Sequence, residues 1–147
     1  MKRTDIEDRA FGYFQSGFHC AEAVSKTIAD AFAGESSREI PMVASGFGGG
    51  IGGTKGETCG ALTGGIVALG YLYGRMDPGE DKKTIYGLAS AFRAKFIETF
   101  GSAWCREILD GFGEQENMMK CKKLSAGAAG ILFDILTEHE AKKTGDR

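Results

Sequence analysis

The sequence predicts an all-α fold: a single compact bundle of about five helices, with a Gly-rich loop before the central one. Three observations predict it. Apolar residues recur at helical spacing along most of the 147-residue chain. Strand-like alternation is nearly absent. Glycine is abundant, at 23 residues beside only 2 prolines and a hydrophobic fraction of 42%, which points to closely approaching helices and a Gly-rich turn instead of disorder. The length suits one domain over residues 1–147, large enough to bury a core without disulfide staples.

The elements follow in order. Residues 4–15 place Ile6, Ala10, Tyr13 and Phe14 on one helical face, and Gly17 ends that helix. A second helix begins near His19 or Cys20, carries the stripe Ala21, Val24, Ile28 and Phe32, and stops at Gly34. Ser36 and Glu39 stand at capping-box spacing before a short helix through Ile40, Val43 and Ala44, with Pro41 suited to its first turn. Gly46 to Gly56 is a loop for which Phe47 and Ile51 are candidate anchors.

From Cys59 to Tyr73 almost every residue is apolar or small, and a helix apolar on all sides belongs at the centre of a bundle. Asp77-Pro78-Gly79 is a turn. A long amphipathic helix over residues 80–100 turns Ile85, Leu88, Phe92, Phe96 and Ile97 or Phe100 inward, and Gly101 interrupts it. Trp104 to Leu109 reads as a short helical turn. The last helix runs from Met118 or Cys121 to Glu140 on the stripe Leu124, Ala128, Ile131, Leu132 and Ile135.

Charge and hydropathy narrow the function classes. A net charge of −2 with dispersed Lys and Arg offers no footprint for nucleic acid or an anionic membrane. The longest apolar stretch, Ala61 to Tyr73, is too short and too Gly-rich to span a bilayer, so no membrane insertion is expected. The charged N-terminal segment Met1 to Arg9 lacks the apolar region of a secretory signal. A cytoplasmic, reducing location follows as the expectation, and there the 4 cysteines would not form two permanent disulfides.

Those cysteines, Cys20, Cys59, Cys105 and Cys121, carry the candidate chemistry. No two form a CxxC, so zinc-ribbon and thioredoxin patterns lose their main support, and any shared site must be assembled by the fold. Cys20, Cys59 and Cys121 stand where helices begin, and backbone N–H groups with the helix dipole favour a thiolate there. Cys59 is the strongest candidate, because it follows a Gly-rich loop and precedes the apolar helix. Its bland alternative is a buried structural cysteine, since Cys packs as a small hydrophobe.

Cys105 sits in a glycine-flanked turn beside Trp104, the only tryptophan, which suits core or site wall. Lys120, Lys122 and Lys123 flank Cys121 and would stabilise a thiolate. Gly60 and Gly64 are candidate contacts to a bound cofactor; with Gly65 they would also let neighbouring backbones approach closely. His19 could support the Cys20 thiolate or be simply exposed, and His139 reads as solvent-facing.

Other chemistries fail on pattern. The run Gly48 to Gly53 has no strand before it and no GKS or GKT after it, which argues against a P-loop or dinucleotide site. No EXXH pair of a di-iron bundle is present, and no Ser-His-Asp set can be picked from 2 histidines.

With Cys20, the segment Cys59-Gly60-Ala61-Leu62-Thr63-Gly64, Cys105 and Cys121, the chain resembles the C_GCAxxG_C_C family of redox-active proteins over essentially its whole length. The resemblance implies a redox protein whose four cysteines form the site, without implying a substrate. A similar domain accompanies haem in split-Soret cytochromes, where an iron–sulfur centre is associated with it. Three functions fit these residues. The first is an iron–sulfur cluster, most simply [2Fe–2S], bound by all four cysteines for electron transfer. The second is cofactor-free thiol–disulfide exchange, with Cys59 attacking and another cysteine resolving. The third is a structural zinc or binding module. Expected partners are a redox protein or a small-molecule electron donor or acceptor, and small-residue faces are compatible with a homodimer.

Overall fold

The computed structural model describes residues 1–34 and 38–145. Among them seven α-helices follow in order: α1 (Arg3–Gln15), α2 (Cys20–Ala33), α3 (Glu39–Ala44), α4 (Gly60–Tyr73), α5 (Lys83–Phe100), α6 (Cys105–Phe112) and α7 (Met119–Gly145). A 3-10 turn, Ser45–Phe47, follows α3. The described residues are otherwise loop, with a single isolated bridge between Thr58 and Trp104 and no strand. The expected count of about five is corrected upward because the two short segments, α3 and α6, are helices in their own right.

Local sequence supplies the caps. The Lys2 backbone N–H donates to Asp5 Oδ2 at 2.8 Å to start α1, and the His19 N–H donates to Glu22 Oε1 at 2.9 Å to start α2. The other Glu22 oxygen accepts from Ser45 Oγ at 3.1 Å, which ties the start of α2 to the 3-10 turn. Pro41 lies in the first turn of α3, as its fixed φ requires. The Ser36 cap expected there lies outside the described residues. Gly101 closes α5 in the left-handed conformation at φ 87°.

The core forms where α2 packs along α4 and α1 along α7, with α5 resting on α4 and α7. Ile6, Ile28, Leu69, Phe92, Phe96, Leu132 and Leu136 are fully buried in it. Gly64 sets the close crossing of α2 and α4, since an added Cβ would overlap the Ala21 backbone. The central placement of α4 holds for its first part only. Ala61, Leu62, Ala68 and Leu69 are buried, whereas Tyr71 is exposed and Ile66 borders an open groove against α5. α7 runs past Glu140, extended by Lys142–Glu138 and Lys143–Glu140 pairs at 3.2 and 3.8 Å.

The Gly-rich loop has a conformation that composition alone does not specify. Gly49, Gly50, Ile51, Gly52 and Gly53 all have positive φ, between 59° and 72°. Such a left-handed run is open to glycine and strained for Ile51. Backbone bonds from Gly52 N–H to Gly46 and from Lys55 N–H to Gly49, both 2.8 Å, close it into a compact coil. Ile51 is exposed rather than seated as an anchor; Phe47 is half-buried.

Candidate functional site

Four helices begin around one cavity, and each brings a cysteine. Cys20 is the first residue of α2, Cys59 the N-cap of α4, Cys105 the first residue of α6, and Cys121 lies in the first turn of α7. All four line a cavity of about 60 Å³, walled largely by Ile108, Leu109, Phe112 and Leu124. Cys59 and Cys105 are buried, Cys20 and Cys121 half-buried, and all are free thiols. The glycine-flanked turn expected at Cys105 is thus a fourth helix start.

Three devices hold the set together. The first is the Thr58–Trp104 bridge. The Cys59 N–H donates to Ala103 O at 2.7 Å and the Cys105 N–H to Glu57 O at 2.9 Å, so the starts of α4 and α6 lie side by side. The second is glycine. A Cβ at Gly60 would overlap Cys20 Sγ, and one at Gly50 would come within 2.7 Å of the Cys105 Cβ. Gly60 lines the cavity, whereas Gly64 serves the helix crossing.

The third device is Gln115, which pattern reading did not find. Its Oε1 accepts from the backbone N–H groups of Lys120 and Cys121 at 2.9 and 3.1 Å. That fixes the amide orientation and directs Nε2 to donate to Cys121 Sγ at 3.2 Å. A glutamine placed this far before a helix start falls outside capping-box spacing, so no local signal marks it.

Electrostatics reverse one expectation. Helix starts were expected to lower the thiol pKa values, yet the Cys59 thiol is pushed up from 9.0 to about 12. Burial is the largest cause and the charge of Cys20 the next, while the Ala61 N–H opposes them. Cys20 is raised by burial against hydrogen bonds from the Gly49 and Ala21 N–H groups. Cys105 is raised by burial and by Cys20 and Cys121, against the opposing charges of Lys55 and Arg106. Loss of water outweighs the partial charge of a helix end, and each further thiolate would repel the rest.

The remaining candidates separate clearly. His19 borders the cavity at the α2 cap, with its ring 5.8 Å from that of Phe14. His139 is about 27 Å along α7 from Cys121 at helical rise, and its ring meets the edge of Tyr73 at 5.3 Å. Trp104 is exposed, and its part in the site is its backbone. Two of the three lysines beside Cys121 are engaged elsewhere, and Lys123 is exposed. Lys120 Nζ donates to Phe112 O, and Lys122 Nζ donates to Gln15 Oε1 at 2.8 Å, above the Phe14 ring. Among the described residues no three His, Cys, Asp or Glu side chains stand close enough to share one metal ion. Among them, too, no helix is long and apolar enough to cross a membrane.

Fold and site define a class: an all-helical protein with four dispersed cysteines gathered at one apolar cavity. Residues 18–135, a span that includes every cysteine, match the family described as "Putative redox-active protein (C_GCAxxG_C_C)", and the chain belongs to that family. At the second cysteine this chain reads Cys59-Gly60-Ala61, where the family label writes Gly before Cys. No curated protein and no solved structure matches the chain.

Proposed function

We propose that this redox-family protein binds an iron–sulfur cluster, [2Fe–2S], through Cys20, Cys59, Cys105 and Cys121 and transfers electrons. One observation carries the reading: four cysteines from four separate helix starts line the same cavity. Four thiolates are the complete ligand set of such a cluster, which supplies one-electron chemistry when bound. The donor set and its surroundings fit. A single zinc ion would require the thiols to draw closer than they stand, since no three described His, Cys, Asp or Glu side chains are near enough to share one ion.

The chain's own residues have defined tasks. The cysteines release their protons to solvent, a loss that burial opposes and that a cationic centre favours. Backbone N–H groups of Gly49, Ala21 and Ala61, with Gln115 Nε2, donate to the sulfurs and stabilise their negative charge. Gly60 leaves the space that Cys20 Sγ requires, and Ile108, Phe112 and Leu124 exclude water. A redox protein or small-molecule donor supplies each electron, and a second such partner accepts it.

Anaerobic purification with a visible spectrum and iron and acid-labile sulfide assays tests this. The expected result is coloured protein with iron and sulfide in equal amounts, about two of each per chain. Colourless protein with neither, even after reconstitution, contradicts it. One observation favours a second reading, thiol–disulfide exchange: the Cys20 sulfur lies against Gly60, the residue that follows Cys59. Under that reading mild oxidation of the iron-free protein removes two free thiols, and four free thiols throughout would count against it.

A further inference from the structure

We infer that Ser125 is a further polar member of the cysteine site, its hydroxyl donating a hydrogen bond to the sulfur-bearing group that the four cysteines hold. Ser125 borders the same cavity as the cysteines. It follows Cys121 by one helical turn on α7, so the two side chains share a face. The residue is 0% exposed, and its Oγ has no hydrogen-bond partner in the protein. A serine inside a helix ordinarily bonds back to the carbonyl one turn earlier, and this one does not.

Buried hydroxyls are almost always paired, and the cost of leaving one unpaired is the full loss of its hydration. Around Ser125 the cavity wall is mostly apolar, with His19 and Lys55 at its polar positions and sulfur supplied by the four thiols and Met118, whose thioether is only a weak acceptor. The acceptor that suits this donor is therefore the electron-rich sulfur of whatever the cysteines bind. The inference rests on the cluster reading and extends it beyond the cysteines. Hydrogen bonds to sulfur favour the more negative, reduced state, so the Ser125 hydroxyl raises the reduction potential.

The test compares wild type with Ser125→Ala and Ser125→Thr, each purified anaerobically and also prepared iron-free. In loaded protein, Ser125→Ala retains iron and sulfide at the wild-type ratio while its midpoint potential shifts negative. Ser125→Thr, which keeps a hydroxyl, stays at the wild-type potential. In iron-free protein, Ser125→Ala melts at or above the wild-type temperature, because an unpaired hydroxyl has been removed. An unchanged potential in loaded Ser125→Ala overturns the inference. So does a lower melting temperature in iron-free Ser125→Ala, which would reveal a partner for the hydroxyl within the fold. Failure of the cluster reading is separately visible, as wild type without iron or sulfide.

Discussion

The two ends of α7 hold polar groups in opposite conditions. Near its C-terminus, the Tyr73 hydroxyl donates to Glu140, Lys143 pairs with that carboxylate at 3.8 Å, and His139 lies against the Tyr73 ring. Burial and Glu140 raise the Tyr73 pKa, and the same hydrogen bond lowers that of Glu140. These groups complete one another. Near the N-terminus of α7, Cys121 and Ser125 face Cys20, Cys59 and Cys105 across a cavity, and the Ser125 hydroxyl has no partner. Burial raises pKa values at both ends, but at the cysteines the neighbouring charges are further thiols. The first cluster fastens α4 to α7; the second leaves a buried hydroxyl without a protein partner.

The largest effect expected from this contrast is alkaline destabilisation of the iron-free protein. Cys59 holds its proton more tightly folded, at about 12, than at its ordinary value of 9.0. The contribution is therefore fully present below pH 9 and lost as pH rises toward about 12. Its upper bound is about 4 kcal/mol at 1.36 kcal/mol per pKa unit. Urea unfolding at pH 8 to 11 should show wild type losing stability more steeply than Cys59→Ala, and equal slopes would contradict the assignment.

Next in size is Gly64→Ala, in which the added methyl meets the Ala21 backbone where α2 crosses α4. A cost of about 2–3 kcal/mol is expected in chemical denaturation, in the range for overpacking a close contact. The smallest effect is at the far end of α7. Tyr73→Phe removes the bond to Glu140 from a partly exposed site and should cost about 1 kcal/mol. Iron content should stay at the wild-type level, whereas a loss of iron would tie the two ends together.

Helical periodicity made most of the fold legible. The stripes Ile6–Ala10–Phe14, Ala21–Val24–Ile28 and Leu88–Phe92–Phe96 are buried as their spacing requires. The short helix α6 was legible only as a helical turn over Trp104 to Leu109, because much of its support comes from elsewhere, through the Thr58–Trp104 bridge. The left-handed coil at Gly49–Gly53 was hidden because glycine permits many conformations and tertiary contacts choose one. The cysteines were legible as residues, but their pKa direction was not, since burial is a property of the packed molecule. Gln115 and Ser125 gave no signal: one acts across a turn, and the other is a single hydroxyl within an apolar stripe.

The most direct test of a shared four-cysteine site is the iron and sulfide content of four single variants, Cys20→Ala, Cys59→Ala, Cys105→Ala and Cys121→Ala. Each would be reconstituted anaerobically beside wild type, with helix content checked by circular dichroism. Every variant is expected to remain helical and to lose most of its iron and sulfide. Wild-type iron and sulfide in any helical variant would contradict it.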